Sequence, residues 1–193
     1  MLKLYFAPGA SSMAPHIALH EIGCPFEAVR VSFRDGANRT PEYMALNPLG
    51  QVPVLTIDGR PLTEVAGILF YLAKAYPEAG LLPDDSEAQA RVVAWMSYIA
   101  ASVHPARRQG LEHAHKVWEV TEARLGSPDW AVGARYSIAD IHLFRLFWRF
   151  FNSLKPPRDA FPNLVGHYER MMARPAVART IEVETAAGYE LPA

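Results

Sequence analysis

The chain has 193 residues; half of them are hydrophobic and 20% are charged. This composition is typical of a well-packed globular protein and excludes an intrinsically disordered one. Nineteen basic residues against 20 acidic ones leave a formal net charge of −1. A chain so balanced sets up no strong field toward nucleic acid or an anionic membrane, and we expect neither as a partner.

Cysteine content and hydrophobic patterning indicate in which compartment the protein is expected. Cys24 is the only cysteine, so no intrachain disulfide can form and a reducing compartment is favoured. Residues 8–12 break any signal-peptide core, and the aromatic run 143–151 is too short and too charged to span a bilayer. His113 and His115 do not share a helical face, and no carboxylate–cysteine set completes a metal site. We therefore expect a cytoplasmic protein without a metal.

The first 77 residues predict alternating strands and helices. The first helix follows a turn and starts at Ser11 or Ser12. The pair Asp58-Gly59 favours a tight hairpin, and Pro61 makes the next strand an edge strand because proline cannot donate to a ladder. The predicted elements, in the order β-α-β-α-β-β-α, are strands at Leu2–Phe6, Phe26–Phe33, Pro53–Ile57 and Arg60–Thr63, and helices at 11–22, 41–46 and 64–76.

A polar segment separates this module from the rest of the chain. Residues 78–85 are rich in proline and glycine, which predicts a linker. Only helical patterns follow it. Ser86 with Gln89 and Ser137 with Asp140 have the spacing of capping boxes, which predicts two helix starts. The predicted division is residues 1–77, a linker at 78–85 and an all-helical domain at 86–193.

Other helical patterns complete the second domain. Helices are predicted at Leu111–Leu125 and at Pro162–Ala173, the latter ended by Arg174-Pro175. The helix that follows Ser137 is apolar nearly all round, so it should be buried at the centre of the domain. Four apolar residues also step along one face of the helix after Ser86, where they could pack against a second copy. These four are Val92, Met96, Ile99 and Val103.

Five motifs stand in order along the chain: Leu4-Tyr5, residues 8–12, the tract from Asn47 through Val54, Thr63-Glu64, and residues 136–140. Together with the element order, they resemble the cytosolic glutathione transferases. Residues 8–19 and 98–104 are most similar to the bacterial beta class. The resemblance implies an α/β N-terminal thioredoxin-like domain, an all-α C-terminal helical domain, glutathione as co-substrate and a homodimer.

The resemblance also identifies candidate catalytic residues. Beta-class members usually carry a cysteine where Ser11 stands, and a serine cannot form their mixed disulfide with glutathione. A hydroxyl at the start of a helix can instead donate to the glutathione thiolate. Ser12 is an equal competitor, because sequence alone does not rank adjacent hydroxyls, and either serine could be only a helix cap. Tyr5 is a third candidate, since tyrosine-type transferases use an early phenol; its alternative role is a core tyrosine.

The candidate glutathione-binding residues lie further along the first module. The resemblance places the cysteinyl part of glutathione against the backbone of Gln51, Val52 and Pro53, with the Val52–Pro53 bond cis. Glu64 would accept from the γ-glutamyl amine, and the N–H of Val65 at a helix start would hold its carboxylate. Many transferases have a serine in place of Val65. The alternative for Glu64 is an ordinary first-turn acid favoured by the helix dipole.

Two basic side chains complete the candidate set. His104 matches a histidine that reaches the glutathione site in beta-class members, although it could equally be a helix-end histidine. Arg34 lies in a loop where some members carry a lysine that binds the glycine carboxylate, but the loop length differs.

The resemblance implies an enzyme that activates the glutathione thiolate for attack on a small hydrophobic electrophile. Two alternatives stay open. One is a glutathione-dependent isomerase of the maleylacetoacetate kind, although residues 13–16 lack the expected arginines. The other is a non-catalytic glutathione-binding or structural homologue. The absence of a cysteine at position 11 and of a serine at position 65 would favour it.

Overall fold

The computed structural model describes residues 1–189. Four strands form one sheet: β1 (Leu2–Phe6), β2 (Phe26–Arg30), β3 (Val54–Ile57) and β4 (Arg60–Thr63). The helices are α1 (Met13–Ile22), α2 (Pro41–Leu46), α3 (Val65–Ala75), α4 (Ser86–Tyr98), α5 (His104–Ala106), α6 (Leu111–Leu125), α7 (Ile138–Leu154), α8 (Pro162–Met172) and α9 (Pro175–Ala187).

The chain forms two compact units. The first contains residues 1–75 together with residues 174–189, and the second is Tyr76–Ala173. The prediction placed residues 86–193 in the helical domain; in the structure α9 packs on α1 within the first unit. No helix within residues 1–189 is long and apolar enough to cross a membrane.

The sheet of the first unit has the order β2-β1-β3-β4. β1 and β2 are parallel, and the other two pairings are antiparallel. The hairpin turns at Asp58 and Gly59, whose φ angles of 49° and 84° are both left-handed, as a two-residue turn requires. β4 is an edge strand, which confirms the prediction made from Pro61. β2 ends at Arg30, three residues earlier than predicted, although the N–H of Val31 still donates to the sheet.

Helices cover this sheet with apolar side chains. α1 is buried from Met13 to Leu19, and Gly23 ends it with a φ of 70°, as predicted. Apolar residues of α3 pack with them, and Ile68, Leu69 and Leu72 have no exposed surface. Burial of this apolar surface is what stabilises the unit, at about 1.5–3 kcal/mol for each large side chain.

The second unit is helical throughout its regular structure. α7 is buried at its centre, with Phe144 and Phe147 fully enclosed, as its apolar pattern predicted. Ser137 and Asp140 form the predicted capping box. The predicted box of Ser86 is wrong, because the side chain of Asp85 accepts from the Ala88 N–H at 2.7 Å and starts α4.

The apolar stripe along α4 and the turn after it faces the protein interior. Its four residues, Val92, Met96, Ile99 and Val103, are all at most 5% exposed. α4 packs on α7 within the unit. This stripe is therefore part of the core, and the expectation that it meets a second copy is wrong. The predicted fold class, an α/β N-terminal part followed by an all-helical domain, is confirmed.

Candidate functional site

Ser11 and the segment 51–53 lie together in the first unit. The Ser11 hydroxyl donates to the carbonyl oxygen of Val52 at 3.1 Å. Ser11 is half-buried, whereas Val52 is 8% exposed. The Val52–Pro53 peptide bond is cis. The structure therefore brings the predicted hydroxyl directly to the predicted backbone edge.

Sheet pairing brings Glu64 and Val65 next to the segment at 51–53. Val54 pairs with Thr63 across the β3–β4 hairpin. Residues 52–53 immediately precede Val54, and residues 64–65 immediately follow Thr63. The two candidate binding segments are thus neighbours because the hairpin register aligns their ends.

A pair of side chains fixes the carbonyl before Val52. The phenol of Tyr43 and the amide of Asn47 each donate to the Gln51 carbonyl at 2.8 Å. Gln51 itself is exposed. Burial, and then the neighbouring phenol of Tyr5, raise the pKa of Tyr43, so this phenol keeps the proton that it donates. We name this arrangement the Gln51 clamp.

Asn47 also shapes the turn that leads into the clamp. Its side-chain oxygen accepts from the Leu49 N–H at 3.1 Å, and its carbonyl accepts from the Gly50 N–H at 2.8 Å. Gly50 has a φ of 61°, and a Cβ there would meet the Asn38 carbonyl at 2.8 Å. Only glycine fits this close approach. The turn motif signalled a structural role for Asn47, but no sequence signal pointed to Tyr43.

The two adjacent serines have different environments. Ser12 has no exposed surface, and its hydroxyl accepts from the Ala7 N–H and donates to the Ala7 carbonyl, both at 3.1 Å. Ser12 occupies the N-cap position of α1, yet it makes no side-chain capping bond. The Ser11 hydroxyl is directed to Val52, so neither serine is a side-chain cap. Only Ser11 is on the partly open side.

Glu184 of α9 holds the loop that precedes the serines. One carboxylate oxygen accepts from the Gly9 N–H at 2.7 Å, and the other lies 3.0 Å from Nδ1 of His16. Glu184 and His16 are at most 1% exposed. No sequence pattern indicated this contact, because α9 was not predicted and His16 and Glu184 lie 168 positions apart.

Tyr5 packs behind the site. Its ring meets the ring of Tyr43 edge to face, with centroids 5.8 Å apart. It is half-buried against a cluster that contains Val52 and Val54. Arg34 is exposed in the loop between β2 and α2. The catalytic role of Tyr5 and the binding role of Arg34 stay predictions.

Glu64 has an unusual backbone conformation. Its φ is 67°, a left-handed value that costs a non-glycine residue about 1–3 kcal/mol and is concentrated at ligand sites. It is exposed and lies just before α3, so it is not a first-turn acid of that helix. Val65 is buried and begins α3, a helix of 11 residues. The first N–H groups of a helix have no partner within it and point outward from its N-terminus. This end of α3 can therefore hold an anion beside a carboxylate.

His104 lies in the second unit. It follows a π-helical turn at Ile99–Val103, and its N–H donates to the Ile99 carbonyl. His104 is exposed as a residue. Desolvation of its ring by the surrounding protein, and then the charges of Arg145, Arg108 and Arg149, together lower its pKa to about 4. The ring is therefore neutral at pH 7, and its predicted contact with glutathione stays a prediction.

No cluster of three or more potential metal ligands occurs within residues 1–189. The site is instead the main-chain segment at 51–53, a partly open hydroxyl, and a helix N-terminus preceded by a carboxylate. Such a set can bind an extended peptide through its main chain and fix its charged end. The fold is that of a thioredoxin-like domain joined to a helical unit.

Comparisons with known proteins agree with this class. The glutathione S-transferase N-terminal domain matches residues 1–74, and the C-terminal domain matches residues 85–175. Glutathione S-transferase GstA of Escherichia coli O157:H7 is 34% identical over 95% of this chain and 98% of its own. A glutathione transferase structure from Methylococcus capsulatus is 33% identical with a TM-score of 0.86, covering 96% of this chain and 100% of that one. A sphingomonad glutathione S-transferase complexed with glutathione is 32% identical with a TM-score of 0.84, covering 95% of this chain and 98% of that one.

The chain belongs to the glutathione S-transferase family. The resemblance drawn from its motifs is confirmed at the level of the family.

Proposed function

We propose that the protein is a glutathione transferase that binds glutathione on its first unit and stabilises the thiolate with Ser11. The observation that carries this proposal is the Ser11 hydroxyl, which lies 3.1 Å from the Val52 carbonyl at the edge of the peptide-binding segment. In the reaction the thiolate sulfur forms a bond to an electrophilic carbon. The leaving group departs with its electron pair, and the thiol proton goes to solvent.

Binding uses the main chain and the start of α3. The extended backbone at 51–53, held by the Gln51 clamp, pairs with the cysteinyl part of glutathione as an added strand would. The exposed carboxylate of Glu64 accepts from the γ-glutamyl amine, and the Val65 N–H receives the γ-glutamyl carboxylate. The backbone strain at Glu64 fits a residue whose conformation is fixed for ligand contact.

Energies limit what Ser11 can contribute. A thiol with a pKa of about 8.5 is only about 3% ionised at neutral pH. A hydrogen bond to a charged acceptor is worth about 1.5–3 kcal/mol, but the hydroxyl must first leave Val52, which costs about 0.5–1.5 kcal/mol. The net gain of about 1 kcal/mol lowers the thiol pKa by less than about one unit. The N-terminus of α1 adds a further favourable term of about 0.3–1 kcal/mol.

The proposal includes a small hydrophobic electrophile, a cytoplasmic location and a homodimer. The lone cysteine, Cys24, supports a reducing compartment. A serine at position 11 excludes the mixed disulfide that a cysteine there would form, so we propose transfer chemistry without a redox step.

The test is a calorimetric titration of glutathione, combined with the ultraviolet absorbance of its thiolate as pH is raised. In Ser11→Ala we expect the pKa of the bound thiol to rise by about half to one unit, with a smaller change in affinity. Ser97→Ala, which removes an exposed serine from α4, is the matched control and should behave as wild type. An unchanged thiol pKa in Ser11→Ala would remove Ser11 from the chemistry. Binding without ionisation in the wild type would favour a non-catalytic homologue.

A further inference from the structure

Three consecutive carbonyl groups at 50–52, just before β3, each accept a hydrogen bond from a side chain. The amide of Asn38 donates to the Gly50 carbonyl at 2.8 Å. The Gln51 clamp holds the next carbonyl, and the Ser11 hydroxyl donates to the carbonyl of Val52 at 3.1 Å. The acceptors of this segment are therefore already in use in the protein without a ligand.

The carbonyls of Gln51 and Val52 differ in what they can still accept. A carbonyl oxygen has two lone pairs, and Tyr43 and Asn47 each donate to the Gln51 carbonyl at 2.8 Å. Tyr43 is 5% exposed and Asn47 is 6% exposed, so packing holds both donors in place. Among residues 1–189, the hydrogen bond that reaches the Val52 carbonyl comes from Ser11, which fills one lone pair and leaves the other to a ligand. An amide N–H of a bound peptide would therefore donate to Val52.

The Ser11 hydroxyl cannot serve Val52 and a sulfur at the same time, because it carries one proton. If it turns to a thiolate, the Val52 carbonyl loses this donor, and Val52 is only 8% exposed. An unsatisfied buried carbonyl costs about five- to 150-fold in an equilibrium constant, whereas a bond to a charged acceptor gains about 10- to 150-fold. The turn therefore brings little net gain unless another donor replaces the hydroxyl.

The geometry of a cysteine allows such a replacement. Its sulfur lies three bonds from its amide nitrogen. A nitrogen that donates to the Val52 carbonyl thus brings the sulfur near the Ser11 hydroxyl, which lies 3.1 Å from the same carbonyl. Ser11 is half-buried, so it lies on the side from which a ligand can approach.

We propose that glutathione itself releases Ser11: its cysteinyl N–H donates to the Val52 carbonyl, and the hydroxyl then turns to the thiolate. This donor exchange rests on the proposed function and defines its substrate class. The thiol must belong to an N-acylated cysteine, whose N–H stands on the carbon next to the one that bears sulfur. A thiol that lacks this N–H would bind without being ionised by Ser11.

The test compares glutathione with its ketomethylene analogue, in which a CH₂ group replaces the cysteinyl N–H and the thiol is kept. Calorimetry establishes saturation, and ultraviolet absorbance as pH is raised gives the pKa of the bound thiol. For glutathione, Ser11→Ala should raise this pKa by about half to one unit, as proposed above. For the analogue, the wild-type protein and Ser11→Ala should agree within about 0.2 unit. Ser97→Ala, at an exposed position of α4, is again the matched control.

A comparison within the wild-type protein requires no variant to fold. When each bound thiol is measured relative to the free one, the pKa of the analogue should lie about half to one unit above that of glutathione. The analogue should still bind, because loss of one neutral hydrogen bond weakens binding by only about two- to twelvefold.

Three results would overturn the donor exchange. An equal rise for both ligands in Ser11→Ala would show that the hydroxyl turns without a replacement, and the transferase proposal would stand. An analogue that does not bind at millimolar concentration would show that the N–H does more than replace one donor. No rise with glutathione itself would refute the role of Ser11 in the transferase proposal, and the exchange with it.

Discussion

Adjacent hydroxyls at the start of α1 show how environment decides chemistry at the scale of a residue. Ser12 makes two hydrogen bonds to the backbone of Ala7 and is fully enclosed. Moving that hydroxyl to a ligand would leave buried backbone groups unsatisfied, at about 1–3 kcal/mol each. Ser11 has one bond to exchange and a partly open position. The proposed role therefore falls to Ser11.

The prediction at the scale of a residue concerns the role of Glu64 in glutathione binding. Glu64→Ala should weaken glutathione binding by at least about 1 kcal/mol, because a charge-assisted bond to the amine is lost. Alanine tolerates the left-handed φ of 67° no better than glutamate, so the free energy of unfolding should change little. Calorimetry measures the first quantity and urea denaturation the second. Glu78→Ala, at another exposed acid, is the control. Unchanged affinity in Glu64→Ala would remove this residue from the site.

At the scale of elements, local signals located most helices but not every start. The bounds of α6 and the capping box of α7 follow from short-range hydrogen bonds, so the sequence predicts them correctly. Ser86 failed as a cap because Asp85, one residue earlier, bonds the Ala88 N–H instead. α9 was missed because Pro175 was interpreted as the end of a helix. Proline lacks an N–H, which costs nothing in a first turn, and there it begins α9.

For the candidate site, too, local motifs were predictable from sequence and long-range contacts were not. The turn at 47–50 and the segment at 51–53 are contiguous motifs, so the sequence alone could nominate them as candidates. The contacts that hold them in place join distant residues. Tyr43 reaches Gln51, and Glu184 reaches Gly9 from the far end of the chain. No local pattern encodes such pairings, because they exist only after the elements have packed.

The Glu184 contact gives the element-scale prediction. Glu184→Ala leaves the Gly9 N–H and the His16 ring without their buried partner, and it should destabilise the protein by about 3–5 kcal/mol. Glu184→Gln keeps an acceptor for Gly9 and should lose less. Urea denaturation measures both. Glu182→Ala removes an exposed acid of the same helix that pairs only on the surface with Arg179, and its effect should stay below about 1 kcal/mol. A similar loss in both alanine variants would show that the contact does not anchor α9.

At the scale of the whole molecule, three histidines are held neutral by their surroundings. Desolvation is the first cause in each case. It lowers the pKa of His20 and His104 to about 4, and that of His142 to about 3, with nearby positive charge adding to the effect. An unfolded chain would protonate the same side chains near pH 6.5. Between about pH 6.5 and pH 4 the unfolded state therefore binds more protons than the folded state. Stability must fall as pH falls through this window.

His142 is the most deeply buried of the three, so it should account for the clearest part of this loss. In the wild-type protein the free energy of unfolding should decrease on acidification from pH 7 to pH 4.5, with each histidine contributing at most about 1.4 kcal/mol per pH unit. His142→Leu should flatten the curve, and at pH 7 it should cost little, because the buried Nδ1 that it removes has no hydrogen-bond partner. His113→Gln, at an exposed position of α6, is the control and should keep the wild-type slope. Urea denaturation at a series of pH values measures all three proteins; parallel curves for wild type and His142→Leu would show that His142 is not protonated on unfolding in this range.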